Sequence, residues 1–261
     1  MCRFNGSVLC FKVFPYLSAI HTARLNKYIF FLLILFISFS AFAQEVNAVG
    51  HYHAAQAKSK LGNTNGAIEE LNQALAIFPT YDSALYLHAS LKFRNGDYKV
   101  ATRELEKAVK ANKNYFDAWF LLGLSRAQQQ DYLGSVSALS KSIDINNSNS
   151  KSWYNRALAK AFLGYQADAI KDLDQALVLN PLYTQAWYSR GYWKDVGGDY
   201  DGAMADYKKV VELDPQNRDV YIAMATARHL KGDHEGSCAD IKKAIDLGSL
   251  LAEELKEKFC K

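Results

Sequence analysis

The chain has 261 residues, 49% of them hydrophobic and 22% charged, with only 4 prolines, a balance that excludes an extended disordered tract. Its formal net charge of +4 comes from Arg3, Lys12, Arg24 and Lys27, which precede every acidic residue; the other 27 basic residues are matched by 27 acidic ones. No excess of positive charge is left over to form a nucleic-acid-binding surface.

The first predicted element is apolar. Residues 29–39 read IFFLLILFISF, with Arg24 and Lys27 just before them and Ala41-Phe42-Ala43 just after. This is the layout of a secretory signal peptide, and it predicts a leader over 1–43 with cleavage between Ala43 and Gln44. The apolar run is short of the ~20 residues needed to span a bilayer. The expected mature form is therefore not membrane-spanning and is exported, either periplasmic or secreted. Cys2 and Cys10 leave with the leader, while Cys238 and Cys260 remain, in a compartment where disulfides persist.

Beyond the leader the chain repeats itself. Aligned at a period of 34 it divides into six copies without a gap: 48–81, 82–115, 116–149, 150–183, 184–217 and 218–251. Position 8 of each copy is small (Ala55, Ala89, Gly123, Ala157, Gly191, Ala225), and so is position 20 (Ala67, Ala101, Ser135, Ala169, Ala203, Ser237). Position 15 is glycine in five copies and Gln130 in the third. Pro79, Pro181 and Pro215 all fall at position 32, and Trp119, Trp153 and Trp187 at position 4.

This spacing predicts two helices per copy. Positions 4, 8 and 11 share one helix face and positions 20, 24 and 27 another. Small residues at 8 and 20 let the two backbones approach, and large residues such as Trp153 and Leu173 fill the space around them. Glycine at 15 ends the first helix, and proline at 32 stops the second. One such hairpin cannot bury its apolar face, whereas a stack of them forms a continuous core. In the tail, 252–261, Leu255 and Phe259 continue the first-helix pattern among Glu253, Glu254, Lys256, Glu257 and Lys258, which predicts a polar capping helix.

The pattern resembles the tetratricopeptide repeat (TPR), best in WYNRALAKAFLGYQADAIKDLDQALVLNP, residues 153–181. The resemblance implies an all-α fold, a right-handed α-solenoid of six helix-turn-helix repeats plus the C-terminal capping helix. It also implies that first-helix positions 2, 5, 9, 12 and 13 line a concave groove. Position 5 is Tyr52, Tyr86, Phe120, Tyr154, Tyr188 and Ile222, and Tyr192 stands at position 9. Such an aromatic groove suits an extended peptide or an amphipathic helix. The expected function is a protein-protein interaction scaffold with Phe120, Tyr154, Tyr188, Tyr192, Tyr86 and Tyr52 as partner-binding residues. The alternatives are a structural or self-associating subunit of an envelope complex and a glycan-binding protein. The family's carboxylate clamp is not expected, because of its lysine and asparagine signature only Asn155 is present.

Position 11 is basic in every copy, and position 23 is acidic in all but the third, where Ala138 stands. A charge on a packed face needs a partner, so an intra-repeat ladder is expected: Lys58 with Glu70, Lys92 with Glu104, Lys160 with Asp172, Lys194 with Asp206 and Arg228 with Asp240. Cys238, on the last repeat's second helix, and Cys260, near the end of the cap, form a candidate disulfide. His51 and His53, two apart on a helix, point away from each other. No metal, cofactor or catalytic residue is expected: nothing in the sequence pairs carboxylates beside the groove, cradles a phosphate or gives a nucleophile a base.

Overall fold

The computed structural model describes residues 46–260. The apolar leader and the expected cleavage point at Ala43–Gln44 lie outside the described residues. All regular structure among the described residues is helical. Helix α1 covers 46–60. It is followed by α2 (Thr64–Ile77), α3 (Asp82–Arg94), α4 (Tyr98–Ala111), α5 (Phe116–Gln128), α6 (Tyr132–Ile145) and α7 (Ser150–Phe162). Then come α8 (Gln166–Leu179), α9 (Thr184–Val196), α10 (Tyr200–Leu213), α11 (Arg218–Lys231), α12 (His234–Asp246) and α13 (Leu250–Phe259). No helix among the described residues is long and apolar enough to cross a membrane. From α3 to α11 every first helix begins on position 1 of its copy, and from α2 to α12 every second helix begins on position 17.

The chain divides into two compact units between Ala84 and Leu85, within α3. In the first, Ala55, Ala67, Leu71 and Ala74 are fully buried, and Asn63 caps α2 by accepting a hydrogen bond from the Gly66 backbone N–H. In the second, consecutive helices pack on one another from α4 to α13, with lesser contacts between α5 and α7, α9 and α11, and α11 and α13. Its core is built from the small residues of positions 8 and 20 with Leu105, Leu139, Leu173, Tyr207 and Ile241 of position 24.

The turn inside each copy has one geometry. The residue at position 15 is left-handed in every copy, including Gln130 at φ 64°. The backbone N–H of position 16 donates back to the carbonyl of position 11, as in Asp97 to Lys92, Asp131 to Arg126 and Asp199 to Lys194, each at 2.9 Å. These bonds use carbonyls that the helix end leaves free, and the basic side chain at position 11 lies where the helix dipole favours it.

One expectation holds with an addition and one is corrected. The tryptophans of position 4 fill the space beside the core as expected, Trp153 and Trp187 packing half-buried against the cluster of Ala157, Ala169 and Leu173, and they have a second role. Each indole N–H donates to a carbonyl six residues earlier, Trp119 to Lys113, Trp153 to Asn147 and Trp187 to Pro181, fastening the first helix to the preceding turn. The capping helix begins at Leu250 rather than 252. Gly248 turns left-handed at φ 81° and the Ser249 hydroxyl accepts from the Ala252 backbone N–H, so the N-cap falls ahead of the repeat register.

Candidate functional site

The position-5 aromatics are half-buried along the first helices. Three of them lean on a tyrosine at position 34, the last residue of their own copy: Tyr52 on Tyr81 and Tyr86 on Tyr115, each with centroids 5.1 Å apart, and Tyr154 on Tyr183 at 4.8 Å. Phe120 stacks on Phe116 instead. In the fifth copy position 34 is Asn217, and Tyr188 turns to Tyr207, 5.9 Å away. A cavity of about 370 Å³ opens there, lined by Tyr154, Tyr188, Asp214, Asn217 and Asp219 among others. Burial, and then the Asp219 charge, push the Tyr188 hydroxyl above its ordinary value; burial, with Tyr154 beside it, pushes Tyr183 up to about 12. A second cavity, of about 350 Å³, lies along the same row and is lined by Leu124, Ala127, Tyr132, Leu158 and Phe162. Phe162 is 65% exposed and stacks on Tyr132 with centroids 4.7 Å apart. Tyr192 is 43% exposed and meets Trp193 edge-on.

The structure thus brings Tyr154 and Tyr188 to one cavity, with Tyr192 on the same helix as Tyr188. Phe120 and Tyr86 lie further along the row. Tyr52 belongs to the first compact unit. A larger cavity, about 840 Å³, lies elsewhere, lined by Trp119, Val109, Ile145 and the mixed charges of Glu106, Lys110 and Lys141.

The charged positions are close together but not always in the expected pairs. Lys58 reaches Glu70 at 2.7 Å, Lys160 reaches Asp172 at 2.8 Å, Lys194 reaches Asp206 at 2.9 Å and Arg228 reaches Asp240 at 3.2 Å. The pair of Lys92 with Glu104 is a correction. His88, one turn earlier on α3, hydrogen-bonds Glu104, and Lys92 lies 3.7 Å from Asp97. His51 likewise joins Glu70 at 2.7 Å, and its hydrogen bond, followed by that of Lys58, holds the Glu70 carboxyl below its ordinary value.

The residue missing from the expected ladder is position 7. Arg156 grips Asp172 through two hydrogen bonds of 2.8 Å, and Arg190 grips Asp206 with bonds of 2.9 and 2.6 Å. Each guanidinium also lies over a tryptophan, 4.8 Å from Trp153 and 4.7 Å from Trp187, a favourable cation–π position. A signal was available: the two copies with arginine at 7 also carry aspartate at 23 and tryptophan at 4. Each of these aspartates is neutralised by an arginine and a lysine of its own repeat, so the stripe at position 11 is spoken for within the fold.

Among the buried polar atoms without a hydrogen-bond partner are the Tyr207 hydroxyl and Asp195 Oδ1. Burial pushes the Tyr207 hydroxyl far above the ordinary phenol range, with the Asp195 charge next in effect, and burial also raises the Asp195 carboxyl. At the C-terminus, Cys238 of α12 and Cys260, just past α13, are joined by a disulfide with Sγ atoms 2.11 Å apart.

Left-handed turns at position 15, paired helices of nearly constant length and core residues at 8, 20 and 24 define a helical-hairpin repeat protein. Comparison with known families gives the same class: tetratricopeptide-repeat family models match residues 48–81, 86–150 and 150–181, and a further TPR-repeat model matches 197–232. The chain belongs to the tetratricopeptide-repeat family. No curated protein sequence matches it. Among solved structures, MamA is similar at 25% identity and a TM-score of 0.61, over 68% of this chain and 94% of MamA. Pseudomonas aeruginosa PilF is similar at 18% identity and 0.67, over 83% of this chain and 99% of its own. YrrB, described as a TPR protein with an unusual peptide-binding site, is similar at 20% identity and 0.63, over 72% of this chain and 97% of its own. The last two likenesses show the fold alone.

Proposed function

We propose that this protein is an exported scaffold that binds a peptide or helix of another protein along the aromatic row of its first helices. The observation that carries the reading is the cavity lined by Tyr154 and Tyr188, where Asn217 stands in place of the tyrosine that the first, second and fourth copies carry. Half-buried tyrosines supply apolar contact area at low entropic cost together with a hydroxyl for orientation. The charged side chains of the packed helix faces engage one another, so the basic stripe of position 11 is not offered to a ligand. Export rests on the leader pattern and fits the disulfide, a bond that persists in oxidising compartments.

The test places a photo-crosslinking amino acid at Tyr192 of the full chain in its own host, with a second at Lys107 on the outward side of α4. A protein crosslinked from Tyr192 but not from Lys107, and lost when Tyr154→Ala and Tyr188→Ala are added to a chain still helical by circular dichroism, supports the reading. A crosslink only to a second copy of this chain replaces it with self-association, and equal crosslinking from both positions removes the row as the site. Mass spectrometry of the recovered protein tests export: an N-terminus at Gln44 is expected, and an intact leader on cytoplasmic protein refutes it.

A further inference from the structure

The two cavities of the aromatic row differ in chemistry, and both use α7. Tyr154 lines the first, while Leu158 and Phe162 line the second. The first has two carboxylates, Asp214 and Asp219, and no lysine or arginine among its lining residues. Asp214 accepts a long hydrogen bond of 3.3 Å from the Gln216 backbone N–H, and Asp219 lies in the first turn of α11. Two carboxylates beside two phenol faces make an environment for a cation, which gains from the charges and from the ring quadrupoles together. The second cavity has no charged residue among its lining, and its most exposed ring is Phe162. Tyr154 and Phe162 are eight positions apart on α7, about 12 Å along a helix axis, which an extended chain spans in about four residues.

Resting on the proposed groove function, we infer that the bound segment is an extended peptide with a lysine or arginine about four residues from a large apolar side chain. The cation enters between Asp214, Asp219, Tyr154 and Tyr188. The apolar side chain packs on Phe162 and Leu158. Charge complementarity chooses this occupant over an acidic segment, which would meet two carboxylates with no lysine or arginine in the cavity lining, the neighbouring Arg218 being turned to the Gly248 carbonyl.

A phage library of random twelve-residue peptides, panned on the full chain, tests the inference, and the enriched peptides are then labelled for fluorescence anisotropy. The expected enrichment is a Lys or Arg about four residues from Leu, Ile, Met or Phe. Asp214→Asn with Asp219→Asn weakens binding about tenfold and flattens its salt dependence, and Phe162→Ala weakens it without changing that dependence. Enriched peptides that are acidic or uncharged, yet lose binding to the Tyr154→Ala/Tyr188→Ala variant, overturn the inference and leave the groove function standing. No enrichment, or equal binding to that variant, removes both. Circular dichroism of every variant separates lost binding from lost folding.

Discussion

At the residue scale, the environment of the position-23 acid decides how well each repeat tolerates a buried charge. Asp172 and Asp206 each have an arginine at position 7 and a lysine at position 11, and both are almost fully buried. The third copy carries no charge at position 7 or 23 and buries Leu122 and Ala138 there instead. The sixth falls between: Asp240 is buried, position 7 is Met224, and Arg228 approaches at 3.2 Å without a hydrogen bond to Asp240 Oδ2. Burial therefore prevails over the Arg228 charge and pushes the Asp240 carboxyl up to about 6. A folded-state value above the unfolded one means that the ionised form burdens the folded state. That burden is absent below about pH 4, builds as pH rises from there to the folded value, and is constant above it. Asp240→Asn is expected to match wild type near pH 4 and to exceed it by of order 2 kcal/mol above pH 7, measured by urea unfolding at both pH values.

Gln130 is the other residue out of place. It holds the left-handed turn at φ 64° where five copies use glycine, and a side chain in that region costs about 1 kcal/mol. Gln130→Gly is expected to stabilise the protein by about 0.5–1 kcal/mol, read as a midpoint rise of about 2–4 °C. An unchanged or lower midpoint would show that the side chain recovers its strain elsewhere. Positions 8, 15 and 20 were legible in the sequence because their residues recur from copy to copy. Position 7 was not, because it runs Ala54, His88, Leu122, Arg156, Arg190, Met224. Its partner choice depends on which residue stands at 23, so repetition alone conceals it. The expected Lys92–Glu104 pair failed for the same reason: His88 sits closer to Glu104 than a lysine one turn further on.

At the element scale, each hairpin is closed by one fit between position 8 and position 24. In the fifth copy the small partner is Gly191 and the large one Tyr207, and a Cβ on Gly191 would lie 2.7 Å from the tyrosine ring. In the fourth copy the same pair is Ala157 and Leu173, both fully buried. The two copies solve one packing problem with different volumes, so substitutions at these positions should couple. Gly191→Ala alone is expected to cost about 2 kcal/mol by overpacking. Added to Tyr207→Leu it should cost far less, because the pair then copies the fourth repeat and no buried hydroxyl lacks a partner. A double-mutant cycle by chemical denaturation measures the coupling, and simple additivity would reject the fit. Helix starts and turns were legible at this scale. The second role of the tryptophans was not, since it depends on a carbonyl supplied by the preceding turn.

At the scale of the whole molecule, the second unit is held by neighbours on neighbours, and its last helix has one face to bury. Ala252 and Phe259 of α13 are buried in the terminal core with Val220, Tyr221 and Ala244, and the Cys238–Cys260 bond ties its end to α12. A covalent loop with a sequence separation of 22 stabilises by about 3 kcal/mol on the chain-entropy view. Reduction is therefore expected to loosen α13 first. Limited proteolysis should cut within 250–260 in the reduced protein and spare the oxidised one, and identical cleavage would show that packing alone secures the cap. The candidate groove was legible in outline, as a row of aromatics at position 5. Its acidic cavity was not, because Asp214, Asn217 and Asp219 come from the end of one copy and the start of the next, where a register confined to single copies does not look.

The stacking of successive helices also gives this protein a mechanical character. In such an array each hairpin is anchored chiefly by its neighbours, so a pull applied to the two ends should release it unit by unit. Each freed repeat of 34 residues would lengthen the tether by about 12 nm less the width of the hairpin it replaced. The disulfide locks part of the final increment, so the oxidised protein should yield one short step that grows when a reductant is added. The chain would act as a ratcheted spring whose last notch is set by the redox state of its surroundings.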